Sequence, residues 1–348
     1  MHPTRPTRHR PLTTTLLVLL LAAVSLPAAA APMATLDEAK VQAKRQLNRM
    51  LFGIKMFHHE ARGSIANSMS MPQFEEYFEL PESLQNRYDE LGRLILSDEQ
   101  KRIRDELEGW IGTLHDRFPI AESCLIDKYG QEHMRVSGNV IEHSDHFSST
   151  EQGSPFFKGG FELAAGQTYL SAPYMSMDAL EWVVAFATPV VLDDGSIPAI
   201  FHFEVPLSNY RELVSSETFH FDTTEQPVVD TDEEGRSLIV DPNGLLIADS
   251  RQSIRYRLHD ERNPDLNHDL PDYMPAERIE EYLPHISTVS EHPAFLGAVA
   301  RMRHMTSGIL DLEIDGRTYV FAFDELAEQP WYVIHLDPVD GPGFWYQD

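Results

Sequence analysis

A single cysteine, Cys124, stands in the 348 residues. That excludes an intramolecular disulfide and a cluster of thiolate metal ligands. Cys124 lies in the apolar run 121–126, the setting of a small buried hydrophobe rather than a reactive nucleophile. Lysine is nearly as scarce, with six copies, and 55 acidic residues against 28 Lys and Arg give a net charge of −27. So acidic a chain disfavours nucleic acid and anionic membrane surfaces, both of which select basic patches. Enzyme signatures are missing too: no G-x-S-x-G, no H-E-x-x-H, no phosphate loop and no G-x-G-x-x-G. His58-His59-Glu60 lacks the second His of a zinc protease and reads as a helix-surface cluster. No catalytic residue, metal or cofactor is expected. Past residue 31 no apolar run approaches the ~20 residues of a membrane helix.

What is present begins with an export signal at residues 1–31. Arg5, Arg8 and Arg10 precede the apolar run 16–26 and the small residues Ala28–Ala31. Cleavage after Ala30 leaves a periplasmic protein; the alternative is an uncleaved N-terminal anchor. Hydrophobic residues make up 42% of the chain, enough for a buried core, and the length allows one large or two ordinary domains.

Capping boxes at Thr35–Glu38 and Ser97–Gln100 open two helical patterns, the first running to about Gly63. Shorter helices are expected over 71–77 and 82–96, broken at Pro72 and Pro81. Strand–turn–strand units follow at Asp127–Gly130 and Asp241–Gly244, about 115 residues apart, a recurrence that argues for two related modules. A further hairpin turns at Asp315-Gly316 before a closing strand at 331–336. The polar stretch 137–152 is expected to be a surface loop, and 251–293 a long loop with a short helix near 276–282.

The central stretch, 153–207, carries two β-rich runs joined by Asp193-Asp194-Gly195-Ser196, where Gly supplies the positive φ that such a turn needs. Alternation puts His202 and Glu204 on one face of the second run and Phe201, Phe203 and Val205 on the other. In the first run Trp182, Val184 and Phe186 fall opposite Val183, Ala185 and Ala187. The expected sheet has small and apolar groups on one side and Trp, His and Glu on the other, lining a cavity.

The order G-Q-T-Y-L-S-A-P-Y (166–174), W-V-V-A-F-A-T-P-V (182–190) and F-H-F-E-V-P-L (201–207) resembles the Cache domain, the PAS-like extracytoplasmic sensor unit of chemoreceptors, histidine kinases and diguanylate cyclases. The run I-D-x-x-G-x-E-x-x-R-V (126–136), matched at Glu132 and Arg135, and the closing G-x-L…D-G-x-x-Y…W-Y-V-I resemble Cache hairpins as well. The resemblance implies an α+β fold: long N-terminal helices followed by two PAS-like modules with antiparallel sheets. The implied boundaries are 32–117 for the helical section, 118–214 for the first module and 215–348 for the second. It implies a non-catalytic sensor that binds a small molecule in the first module. Family receptors continue into a membrane helix and an output domain, whereas this sequence stops at Asp348. The signal is therefore expected to pass to a separate membrane-bound histidine kinase, diguanylate cyclase or chemoreceptor. A homodimer through the N-terminal helices is compatible with this.

Carried over by position, the ligand site comprises Phe156, Phe157, Tyr169, Tyr174 and Trp182 as walls, with Arg135, His202 and Glu204 as polar groups. Each aromatic also fits a core position, and Glu204 could instead pair with Arg135 as a structural bridge. Ser154-Pro155-Phe156-Phe157 stands where the amino-acid-binding subgroup has Arg-x-Trp-Tyr, so the cation for an α-carboxylate is missing. Glu204 replaces that subgroup's Asp, which points to an amine-containing ligand. Two metal-like clusters compete with this reading, Glu142–His146 and Asp230–Asp241, and with them a metal-dependent hydrolase using 142–146 or 259–292. A purely structural dimerisation partner without ligand is the third reading.

Overall fold

In the computed structural model, residues 35–339 are described, apart from 139, 177, 216–234 and 252–282. The export signal, the Asp230–Glu234 part of the calcium-like loop and the helix expected near 276–282 lie outside the described residues.

Helix α1 spans Leu36–Ser68, a 33-residue rod about 50 Å long. Its start follows the capping box: the Thr35 hydroxyl accepts from the Glu38 N–H at 3.3 Å, and the Glu38 carboxylate accepts from the Thr35 N–H at 2.8 Å. Residues Ala39, Ala43, Leu47, Ile54, Phe57, Ala61 and Ile65 are buried at helical spacing. The expected exposed cluster at 58–60 needs correction. His58 is fully buried and hydrogen-bonds Tyr210 at 2.9 Å, because its position continues the buried stripe of Phe57 and Ala61.

α2 (Gln73–Glu79) and α3 (Asp98–His115) follow, the latter with its own capping box at Ser97 and Gln100. Between them the helix expected over 82–96 does not form. Asn86 and Gly92 take φ of 43° and 79°, and the Asp89 carboxylate accepts from the N–H groups of Leu91 and Arg93. An Asp turn of this kind competes with helical hydrogen bonding.

The first sheet contains β1 (Glu122–Asp127), β2 (Glu132–Ser137), β3 (Val140–Ile141), β4 (Tyr169–Leu170), β5 (Tyr174–Ser176), β6 (Glu181–Val190) and β7 (Ala199–Pro206). Its order is β3-β2-β1-β7-β6-β4, with β5 also paired to β6, and every pair antiparallel. Helix α4 (Phe157–Phe161) lies against β6 and β7, and α5 (Leu207–Ser215) leaves the sheet. The second sheet has the order β10-β11-β12-β8-β9, from β8 (Arg236–Val240), β9 (Leu246–Asp249), β10 (Ser307–Ile314), β11 (Arg317–Leu326) and β12 (Trp331–Pro338).

The two Asp-x-x-Gly turns are built alike. Asp127 Oδ1 accepts from the N–H groups of Tyr129 and Gln131, and Asp241 Oδ1 from that of Leu245. Gly130 and Gly244 take φ of 84° and 92°, and each hairpin carries a register shift just before its turn.

α1 packs on both sheets. Its N-terminal half pairs with the second through Lys40–Asp311 and Lys44–Asp324. Its C-terminal half meets the first through the His58–Phe186 ring contact and through Phe118, which touches Phe57 and Phe203 of β7. At the junction Trp331 packs edge-on to Tyr210 and His58, Arg62 pairs with Glu328, and Gln329 donates to the Leu170 carbonyl at 2.9 Å. The β11–β12 turn therefore reaches from the second sheet into the first.

Candidate functional site

Strand register assembles the site. Antiparallel partners directly opposite one another share a face. Glu122 on β1 lies between Ser137 on β2 and Glu204 on β7, and Cys124 lies between Arg135 and His202. On β6, Ala185 and Ala187 stand beside Glu204 and His202. One face of the first sheet therefore carries two polar rows floored by Cys124 and alanines. Phe156, Tyr174, Val183 and Ile200 pack with them, and Phe157 and Tyr169 lie at the edge.

Trp182 is the exception among the expected wall residues. It is fully buried with Val184, Phe186, Phe201 and Phe203, on the opposite face. In the β6–β7 register each odd position opposes an even one, so the odd residues of β6 share a face with the even residues of β7. Parity along one strand says nothing about parity along the next until the turn fixes the register.

Helix α4 can lie close to this face because Gly159 and Gly160 carry no side chain. A Cβ on Gly159 would stand 2.6 Å from the Tyr169 ring, and one on Gly160 3.2 Å from Ile200. Phe156, just ahead of α4, stacks on the His202 ring with centroids 3.9 Å apart.

The polar groups are sealed from solvent and only partly paired. Tyr174 donates to Glu204 Oε1 at 2.5 Å, while Glu204 Oε2 has no hydrogen-bond partner. Neither ring nitrogen of His202 has one, although the residue is 1% exposed. Arg135 does not pair with Glu204. It forms a two-pronged contact with Glu132 and a 2.8 Å bond to Asp178. Burial pushes Glu122 and Glu204 well above the ordinary carboxylate range, and the charge of Glu204 raises Glu122 further. Burial also raises the Cys124 thiol and lowers the His202 imidazole to about 3, which keeps that ring neutral.

The shift at Glu204 has a sign that can be checked. A carboxyl whose pKa is higher folded than unfolded holds a proton that the unfolded chain releases. The stability that this proton contributes therefore falls as pH rises above ~4.3 and is gone past the folded value, where the curve levels off. Glutamine cannot ionise. Glu204→Gln is thus expected to gain stability relative to wild type between pH 5 and pH 8, by up to about 1.4 kcal/mol per pH unit. Urea unfolding at several pH values measures this, and parallel pH curves for the two proteins would contradict it.

Glu122 and Cys124 belong to the face but were not among the residues expected from sequence. The signal was the alternation of β1, which puts Glu122, Cys124 and Ile126 on one side and Ser123 and Leu125 on the other. The Glu142–His146 segment forms two separate exposed pairs, His143 with Asp145 and His146 with Glu142.

No family model and no curated protein matches the sequence. Solved structures do resemble the fold. The sensory domain of the Campylobacter jejuni chemoreceptor Tlp3, solved with isoleucine bound, aligns with a TM-score of 0.52 at 9% identity, covering 87% of this chain and 93% of that one. A domain of a sensory-box/GGDEF-family protein from Vibrio parahaemolyticus aligns at 0.55 and 14% identity, covering 86% and 97%. The chain has the fold of a double Cache sensor domain. The extracellular domain assigned to the histidine kinase vpHK1S-Z8 aligns at 0.53 and 13% identity over 86% and 95%. In the double Cache arrangement the long helix, the first sheet and the second sheet occur in the order expected from sequence. Among the described residues no helix is long and apolar enough to cross a membrane.

Proposed function

We propose that this chain is a non-catalytic, exported sensor module. It recognises a small amine-containing molecule on the buried polar face of its first sheet. It passes the bound state to a separate membrane-bound histidine kinase, diguanylate cyclase or chemoreceptor. The observation that carries the reading is the Glu122–Glu204 pair: two buried carboxyls side by side, one oxygen unpartnered, beside the aromatic rings of Tyr174 and Phe156. An ammonium group placed there would ionise the pair and restore its hydrogen bonding, and the rings would add cation–π attraction. Arg135 is already held by Glu132 and Asp178, so an α-carboxylate has no obvious cation on this face. The two sheets, joined through α1 and the β11–β12 turn, give a bound molecule a route to the second module.

A thermal-shift screen of amines, amino acids and organic acids tests this. An amine class is expected to raise the melting temperature, since a ligand at a hundred times its Kd adds about 2.7 kcal/mol. Glu204→Gln is expected to weaken that binding by about 2–5 kcal/mol, the cost of losing one partner of a buried charge pair. A shift with organic acids alone, or wild-type affinity in Glu204→Gln, would refute the assignment.

A further inference from the structure

Two neighbouring strands, β1 and β7, bring the only cysteine of the chain to a histidine and a carboxylate. One donor atom each from Glu122, Cys124 and His202 lies within 4.8 Å of the other two, and all three residues are buried. The Cys124 thiol donates to Glu122 Oε1 at 3.2 Å. His202, opposite Cys124 in the β1–β7 ladder, leaves both nitrogens unpartnered inside the protein. Its nearest acid is Glu204, with Oε1 4.0 Å from Nε2. A buried neutral imidazole without a partner is uncommon, and one whose edge reaches a thiol and a carboxylate has the setting of a ligand.

We infer that Glu122, Cys124 and His202 form a binding site for a divalent transition metal, with Zn²⁺ the best match. The donor set is one sulfur, one nitrogen and one oxygen. Ca²⁺ and Mg²⁺ require oxygen ligands, whereas Zn²⁺ accepts all three donor types in tetrahedral geometry. With metal–ligand distances of ~2.0–2.3 Å, the donors of such a site stand roughly 3.3–3.7 Å apart, so no pair of donors needs to close by more than about 1.5 Å. Three protein ligands leave a fourth position for water or for a donor atom of a bound molecule, and Glu204 flanks it. The excess of acids, whose protons a divalent cation would displace, favours the same occupant. Glu122, Glu132, Asp178 and Glu204 surround one cation, Arg135. Binding releases the Cys124 thiol proton and the Glu122 carboxyl proton to solvent, and the thiolate and carboxylate take their places on the metal. Cys124 would then be a ligand, where its sequence setting reads as inert packing.

The inference shares Glu122 with the amine reading but rests on Cys124 and His202, which that reading does not use. The purified full chain, stripped of metal, is titrated with Co²⁺. One equivalent is expected to give tetrahedral visible bands and a near-ultraviolet thiolate-to-cobalt charge-transfer band, with Zn²⁺ displacing it. Cys124→Ser is expected to lose the charge-transfer band, and His202→Gln to weaken cobalt binding at least tenfold. A His143→Ala/His146→Ala double variant, altering only the exposed loop, is expected to leave both unchanged. X-ray absorption of the zinc-loaded wild type needs no variant, and should show one sulfur at ~2.3 Å with nitrogen and oxygen near 2.0 Å. No charge-transfer band in wild type, a zinc shell without sulfur, or unchanged affinity in His202→Gln would overturn the site. An amine-induced thermal shift that persists in chelator, with cobalt silent, would remove this inference and keep the other.

Discussion

Replacing Trp331 by alanine is expected to cost about 3–5 kcal/mol, the range for deleting a large buried aromatic. Trp331 is 1% exposed and sits where α1, α5 and the second sheet meet, its ring edge-on to Tyr210 at 5.3 Å and to His58 at 6.3 Å. His58 in turn touches Phe186 of the first sheet. The cavity therefore opens at the joint between the two sheets and not within either. Calorimetry should show the loss together with a broadened or divided transition, as the modules lose the contact that makes them unfold as one. A sharp, single, unshifted transition would show that the joint is held elsewhere.

The second large effect concerns Arg135. Arg135 is 5% exposed, and its guanidinium holds the buried carboxylate of Glu132, which also accepts from the Ser148 N–H at 2.7 Å. Arg135→Leu strands that acid, and breaking a buried pair from one side costs about 3–5 kcal/mol. Because most of this is the penalty on the abandoned partner, Arg135→Leu with Glu132→Leu is expected to recover the larger part of it. Urea unfolding of wild type, both single variants and the double variant closes the cycle. If the double variant loses the sum of the two single losses, the pair is not coupled and the account of Arg135 is wrong.

Local chemistry was the legible part of this chain. Thr35, Glu38, Ser97 and Gln100 cap their helices within three residues, and Asp127–Gly130 and Asp241–Gly244 turn within four, so the sequence window contains every partner. The candidate face was legible on one strand at a time. Glu204 and His202 alternate correctly along β7, yet alternation alone places Trp182 beside them, because the β6–β7 register is set by the turn and not by either strand. Glu122 lies 82 positions from Glu204, and only the β1–β7 pairing makes them neighbours. The 82–96 stretch has helical spacing but spends its backbone on Asp89 and two left-handed residues, a competition that periodicity does not register.

Helix α1 leads the described chain, and much of what covers it comes last. Lys40 finds Asp311 across 271 positions, and the helix packs along β11 and β12, beyond residue 316. During synthesis, at roughly 5–20 residues per second, its apolar stripe is finished while those strands have yet to be made. Both Asp-x-x-Gly hairpins can close early from neighbouring residues, but the helix has to wait for the final hairpin. The long-lived exposed surface during biogenesis is thus the stripe from Ala39 to Ile65, and a chain interrupted before Trp331 leaves it without a full partner.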